Sequence, residues 1–490
     1  PSSTLQRMEL LKTGYMGTLS LGWDNYLFLE LTGRQERSST LKDQSFFYPS
    51  ANLSFLFTQA FHMPSWWNYG KLRLSYGIVG NAPETYTANI VYEQGSDNGF
   101  TWNTIPSSWG NADIRPEKKY EYEIGLESKF LNNRLGIDVS YYNNRVKDQI
   151  LSTPQPSTSG VKNVLMNVGE VANHGWDISI SATPILTRDF RWDLTANYGV
   201  YKNKVVKLAD GVPYLEILNS GGSGIKIQAV EGQPMGDIYA QVPQVNENGE
   251  YLVSDKGLYL NQTELQKVGN INPAGVGGLF NSFSYKNVFL DFSIDFRIGG
   301  DVINEMNQYA TAVGLTPESL KYRDTEHGGL SYYYPGDNNS SGIPVQVDPS
   351  TGAGPNGEII YHDGIILPGV VASTGERNTR IIPAGYYYNT TYNWGTEAEQ
   401  LTYRHSVFDN SYVKLRELTI GYQFPEKIIS KLGLGRLSVS VFGRNLFYFY
   451  KALKNYDAES SVGTSWANQA TVGSSTTATR SFGVSLRASF

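Results

Sequence analysis

The sequence predicts an all-β chain, a transmembrane antiparallel β-barrel, and three observations carry that prediction. Segments of about ten residues alternate apolar and polar side chains with period two, the length a tilted strand needs to cross a bilayer. Their connections alternate between short and long. No apolar run of about 18 occurs anywhere in the 490 residues, so no transmembrane helix is encoded.

The first alternating segment covers residues 15–23, and its phase is taken up again after Asp24 and Asn25. In "KLRLSYGI", Leu72, Leu74, Tyr76 and Ile78 alternate with Lys71, Arg73, Ser75 and Gly77. In "YEYEIGLESKF", Tyr122, Ile124, Leu126 and Phe130 alternate with Glu121, Glu123, Glu127 and Lys129; the turn "LNN" leads into Leu135, Ile137, Val139 and Tyr141. Trp176, Ile178 and Ile180 follow, then Val288, Leu290, Phe292, Ile294 and Phe296 against Asp291, Ser293, Asp295 and Arg297. Facing the lipid, Leu290, Phe292 and Ile294 leave their polar neighbours to the lumen. Glu121, Glu123, Glu127, Asp291, Asp295 and Arg297 are therefore expected to line it. In "SYVKLRELTIGYQF" the phase switches between Val413 and Leu415 on one side and Leu418, Ile420 and Tyr422 on the other, so a β-bulge is expected near Glu417. Pro425 ends that strand. The chain closes on "SFGVSLRASF", alternating to its last residue.

Counted this way there are about thirteen strands. Short connections fall at 24–25, 60–68, 131–133, 184–189, 285–287 and 425–435, and long ones at 34–46, 81–117, 148–173, 203–276, 299–410 and 449–477. One rim thus carries nearly all the irregular chain. Outer-membrane barrels have this asymmetry, whereas a soluble sandwich, the other all-β reading, distributes its loops more evenly. Parity puts Asn132, Lys286 and Lys427 at the periplasmic rim and Trp109, Asn219 and Tyr333 outside. Single-chain bacterial barrels close with an even strand number. The odd count leads to the expectation that residues 1–490 are the C-terminal portion of one larger barrel domain, with 203–276 and 299–410 as its largest loops.

Composition narrows the functional classes. There is no Cys, hence no disulfide or thiolate metal site; a net charge of -6 without a Lys/Arg block argues against nucleic acid. The five His (His62, His174, His327, His362, His405) show no HExxH spacing, and neither GxSxG nor a phosphate loop occurs, so no enzyme activity and no cofactor are expected. "NENGE" (246–250) resembles the start of a calcium loop, but Asn246 and Asn248 stand where charged ligands would, and no metal site is expected. Phe46 and Phe47, Trp66 and Trp67, and Tyr448 and Phe449 fall at strand ends, as interfacial girdles require. In the outer loops, Trp102, Trp109, Tyr332, Tyr333, Tyr334, Tyr386, Tyr387 and Tyr388 offer flat faces that suit sugar rings or peptide side chains. For any single one of them, packing of loop on loop or against a lid is the better explanation.

The segments "NYLFLELTGRQERSS", "FFYPSANLSFLF", "KLRLSYGIVGN", "IRPEKKYEYEIGLESKFLNNRLGIDVSYYNNRVKDQI", "NVGEVANHGWDISI", "VKLRELTIGYQFP" and "VFGRNLFYFYK" resemble, in order, successive barrel strands of SusC/RagA-type TonB-dependent outer-membrane transporters. The resemblance implies a barrel of roughly 22 strands, with a plug domain and a TonB-contacting segment that this sequence does not contain. It also implies a SusD-like lipoprotein lid over the outer mouth. The expected function is energised import of a bulky nutrient, an oligosaccharide or an oligopeptide, across the outer membrane of a Gram-negative bacterium. The alternatives are a passive diffusion channel and a secreted all-β glycan-binding protein. Phe490, an aromatic at the very end of the last strand, resembles the signal that delivers such proteins to the barrel assembly machinery.

Overall fold

Thirteen strands form one antiparallel sheet in sequence order, an up-and-down meander. They are β1 (Lys12–Trp23), β2 (Leu27–Ser38), β3 (Ser45–Phe55), β4 (Trp67–Asn81), β5 (Glu117–Phe130), β6 (Leu135–Lys147) and β7 (Glu170–Leu186). The second half comprises β8 (Phe190–Lys207), β9 (Pro273–Tyr285), β10 (Val288–Gly299), β11 (Tyr412–Gln423), β12 (Arg436–Lys451) and β13 (Ser481–Ser489). This computed structural model describes the chain apart from residues 1–8, 42–44, 87, 88, 90, 91, 98, 107, 155–157, 159, 221–223, 337–341, 394–401, 461–464, 474–477 and 490. Phe490 therefore lies outside the described residues. Among these, β1 and β13 are the two edges of an open sheet.

The register sorts side chains onto two faces. Directly opposed residues of a ladder point the same way, and the row Leu21, Leu29, Leu53, Leu74, Ile124, Tyr141, Trp176 and Val200 crosses eight strands without a polar residue. A second row, Trp192, Phe283, Leu290, Ile420, Val441 and Val484, crosses the other end of the sheet. These side chains have no protein layer over them: Trp176 is 46% exposed and Val441 59%. An apolar face of this extent needs a non-aqueous cover, and a bilayer supplies one for a barrel wall.

The two rims differ as expected, and the bounds of several connections shift by a few residues. The three-residue turn between β5 and β6 puts Leu131, Asn132 and Asn133 all in the left-handed region (φ 56, 57 and 62), conformations that Asn tolerates better than most residues. At the other rim the connection expected at 34–46 shrinks to residues 39–44, because β2 continues to Ser38 and β3 starts at Ser45. Both strands run above the apolar band, where polar residues such as Arg34 and Glu36 keep the ladder while breaking the alternation.

Two of the three aromatic pairs proposed for a girdle are divided by the pleat, since neighbours in a strand face opposite ways. Phe47 is exposed, but Phe46 is buried against Leu41 and Ile114 beneath the long loops. Phe449 is exposed beside Phe447, whereas Tyr448 lies on the polar face. At the short-turn rim, Trp66, Trp67 and Phe130 do cluster, with ring centroids 5.4–6.0 Å apart.

The best-buried apolar core belongs to the loops. Ile225, Ile227 and Ile238 from the connection after β8, Ile303, Tyr403 and Val407 from the one after β10, and Ala467 and Ala470 from the one after β12 pack together. Gly224 must be glycine there, since a Cβ would sit 1.8 Å from the Tyr403 ring.

Candidate functional site

The second face of the sheet is polar, and the register puts Glu121, Glu123, Glu127, Asp291, Asp295 and Arg297 all on it. They do not form one cluster. Glu121 pairs with Lys119 at 2.5 Å and accepts from Asn144 at 3.1 Å. Asp291 accepts from the Ser282 hydroxyl at 2.6 Å. Arg297 is folded up to the rim, donating to the carbonyl oxygens of Gly299 and Ile271 at 3.2 and 3.1 Å. Glu123 lies opposite Ser75 and Tyr142.

Two charge clusters organise the face. In the first, Arg73 of β4 crosses over Gly125 of β5 to reach Asp138 on β6, donating to both carboxylate oxygens at 3.1 and 2.6 Å. A side chain at position 125 would press on the guanidinium, 2.8 Å from Nη2. Glu127 stands 3.5 Å from the same guanidinium. Arg73, Asp138 and Arg297, with Asp177 and Asn197, line an open concavity of about 650 Å³.

The second cluster depends on the bulge. Ser293 opposes Glu417 while Ile294 opposes Leu415, so Arg416 is the extra residue. The bulge lets Val413 and Leu415 share the apolar face with Leu418 and Ile420, and it frees Arg416 to bind Asp295 and Glu459 together. Lys414, 2% exposed, pairs with Glu459 at 2.5 Å. Neither Lys414, Arg416 nor Glu459 stood out in the sequence. The phase switch in "KLREL" was the available signal.

The long loops hold the aromatic candidates, and burial divides them. Tyr332 and Tyr334 are 1% and 5% exposed, packed on each other, on Tyr361 and on Ile381. Tyr332 donates to Asp363 at 3.1 Å; burial first, and that carboxylate second, push its hydroxyl pKa up. Tyr388 is buried and donates to the Glu318 carbonyl at 2.8 Å, with its pKa pushed to about 12 chiefly by burial. Burial likewise raises Tyr387, which packs at 5.1 Å from Tyr388. These rings are spent on the loops' own packing. Trp102 is 47% exposed, Trp109 meets Tyr92 edge-on, and Tyr333 and Tyr386 keep partial exposure. At "NENGE" the Asn246 side-chain oxygen accepts from the amides of Asn248 and Glu250, and its amide donates to Glu250. Of the would-be ligands, the Asn246 side chain is taken up by the turn.

One loop carboxylate yields a pH prediction. Glu358 accepts from the amides of Asn356 and Gly336 at 2.8 and 3.1 Å and from the Asn356 side chain, which lowers its pKa to about 2. A depressed carboxylate stabilises its surroundings above its unfolded pKa and loses that contribution as pH falls through the folded one. Amide exchange protection at Gly336 and Asn356, corrected for intrinsic rates, should hold from neutrality to about pH 4.5 and decline toward pH 2. In Glu358→Gln it should be weak throughout; a variant with parental protection would refute the assignment.

Comparison with known proteins gives concordant results. Residues 12–238 match the model of the family "TonB dependent receptor-like, beta-barrel". TonB-dependent receptor P3 of Formosa agariphila is 24% identical over 92% of this chain and 42% of its own length. TonB-dependent receptor SusC of Bacteroides thetaiotaomicron is 30% identical over 46% of this chain and 24% of its own. The fold recurs in the solved RagAB peptide transporter, with a TM-score of 0.64 at 19% identity, covering 90% of this chain and 44% of that one. The chain spans less than half the length of these proteins.

Proposed function

We propose that this chain is a TonB-dependent receptor barrel of the SusC/RagA type, as its similarity to such proteins supports, and that it forms wall and outer loops of an importer for a bulky nutrient. The cargo is an oligosaccharide or an oligopeptide, carried across the outer membrane of a Gram-negative bacterium. The observation that carries this reading is the two-faced sheet, crossed by unbroken apolar rows on one side and charged on the other. A wall of that kind suits lipid outside and a polar path inside. The RagAB structure, a peptide transporter, supports the import of short polymers by this architecture.

In this reading the six charged residues of the polar face meet a plug domain, and the knitted outer loops meet a SusD-like lipoprotein. Trp102, Trp109, Tyr333 and Tyr386 are the aromatic faces left for cargo. Energy comes from the TonB complex, acting through parts of the protein outside this sequence. Uptake of labelled oligosaccharides and oligopeptides by cells expressing the full-length protein tests the proposal. Saturable uptake that vanishes without TonB is expected, whereas uptake that is linear in concentration and unchanged without TonB would indicate a passive channel.

A further inference from the structure

The last outer connection does not remain outside. After β12, residues 452–460 turn back along the polar face: Ala452 donates to the Ser411 carbonyl, and Leu453 is buried beside Val302 and Val472. Asp457 then accepts from the Tyr448 hydroxyl at 2.5 Å and from the amide of Ala478 at 3.1 Å. Two residues on, the Glu459 carboxylate reaches the bulge, 2.5 Å from Lys414 Nζ and 2.8 and 2.5 Å from Arg416 Nη1 and Nη2. Arg416 lies four residues along β11 from Tyr412, about 13 Å of strand at the usual rise. The loop's carboxylate therefore sits within the wall's polar face and not on its rim.

The charges show what this contact is. Lys414, Arg416 and Lys451 contribute three positive charges; Asp295 of β10 contributes one negative charge and the 452–460 segment the other two, through Asp457 and Glu459. A cation as enclosed as Lys414 needs an anion. If Glu459 leaves, the cluster keeps one uncompensated positive charge and a guanidinium fork whose two parallel donors match any carboxylate.

We propose that Lys414 and Arg416 form a carboxylate-binding site on the polar face, filled here by Glu459 as an internal ligand, so that segment 452–460 is a strap an acidic solute displaces. The proposal rests on the reading that this face lines an import path, and it adds a cargo chemistry, the carboxylate of an acidic peptide or of a uronic acid. The test uses purified full-length protein in detergent, spin-labelled through Lys454→Cys on the exposed part of the strap. Triglutamate or digalacturonate should release the label saturably, while sodium chloride at equal ionic strength should not. In Glu459→Gln the label should be mobile without solute, and the acid should bind about tenfold tighter because the internal competitor is gone. Adding Arg416→Gln should abolish that binding. Response to one acid alone names the source of the carboxylate. An ordered label in both parent and Glu459→Gln, with no gain in affinity for either acid, would overturn the proposal. Neither TonB nor transport enters this assay, so failure of the import reading would be seen separately.

Discussion

Replacing Phe292 by Arg should lower the stability of the folded barrel by about 2–4 kcal/mol, the cost of a cation facing lipid near the midplane. Phe292 lies within β10, opposite Asn281 and Leu418, with its ring 6.0 Å from that of Phe283. Snorkelling to an interface is hard from there, because Leu290 and Ile294 flank it on the same face. Ser293→Arg is the control: one residue away it points to the polar face, where Glu417 is its cross-strand neighbour. Denaturant unfolding of full-length protein in liposomes should show the loss for Phe292→Arg only. Equal effects at both positions would mean that the faces are misassigned.

The second large effect concerns Phe490. Leu486 and Ala488 of β13 pair with Val439 and Leu437 of β12, so the last strand is a full ladder member up to Ser489. Deleting Phe490 leaves every one of these pairings intact. If the terminal aromatic is an assembly signal, the deletion should nonetheless sharply reduce the protein found in the outer membrane, and a flexible polar extension should do the same. Fractionation and immunoblotting measure this directly. Parental levels in both variants would reduce Phe490 to a girdle residue.

These predictions rest on features of unequal legibility. Strand number, turn positions and facing were readable because period two is local: each strand states its own faces, and a break such as "LNN" states where it reverses. Even the bulge could be placed, since the change of phase between Leu415 and Leu418 admits few other geometries. What the bulge does was hidden. Arg416 and Glu459 are 43 residues apart, and no local pattern joins them. The same holds for the loop core, where Ile227 and Val407 meet across 180 positions of chain. Aromatic clusters misled for the same reason. "YYY" at 332–334 looks like a ligand platform until Tyr361 and Ile381, supplied from further along the loop, are seen to cover Tyr332 and Tyr334.

A sheet that spans a membrane keeps its short turns on one side and its long loops on the other. Single cysteines test it most directly, because this sequence contains none of its own. Lys427 and Asn219 are both exposed, the first in the connection between β11 and β12 and the second in the long loop after β8. In intact cells a membrane-impermeant maleimide should label Asn219→Cys and spare Lys427→Cys until the outer membrane is opened. Labelling of Lys427→Cys with protection of Asn219→Cys would contradict the account, as would equal labelling of both in intact cells.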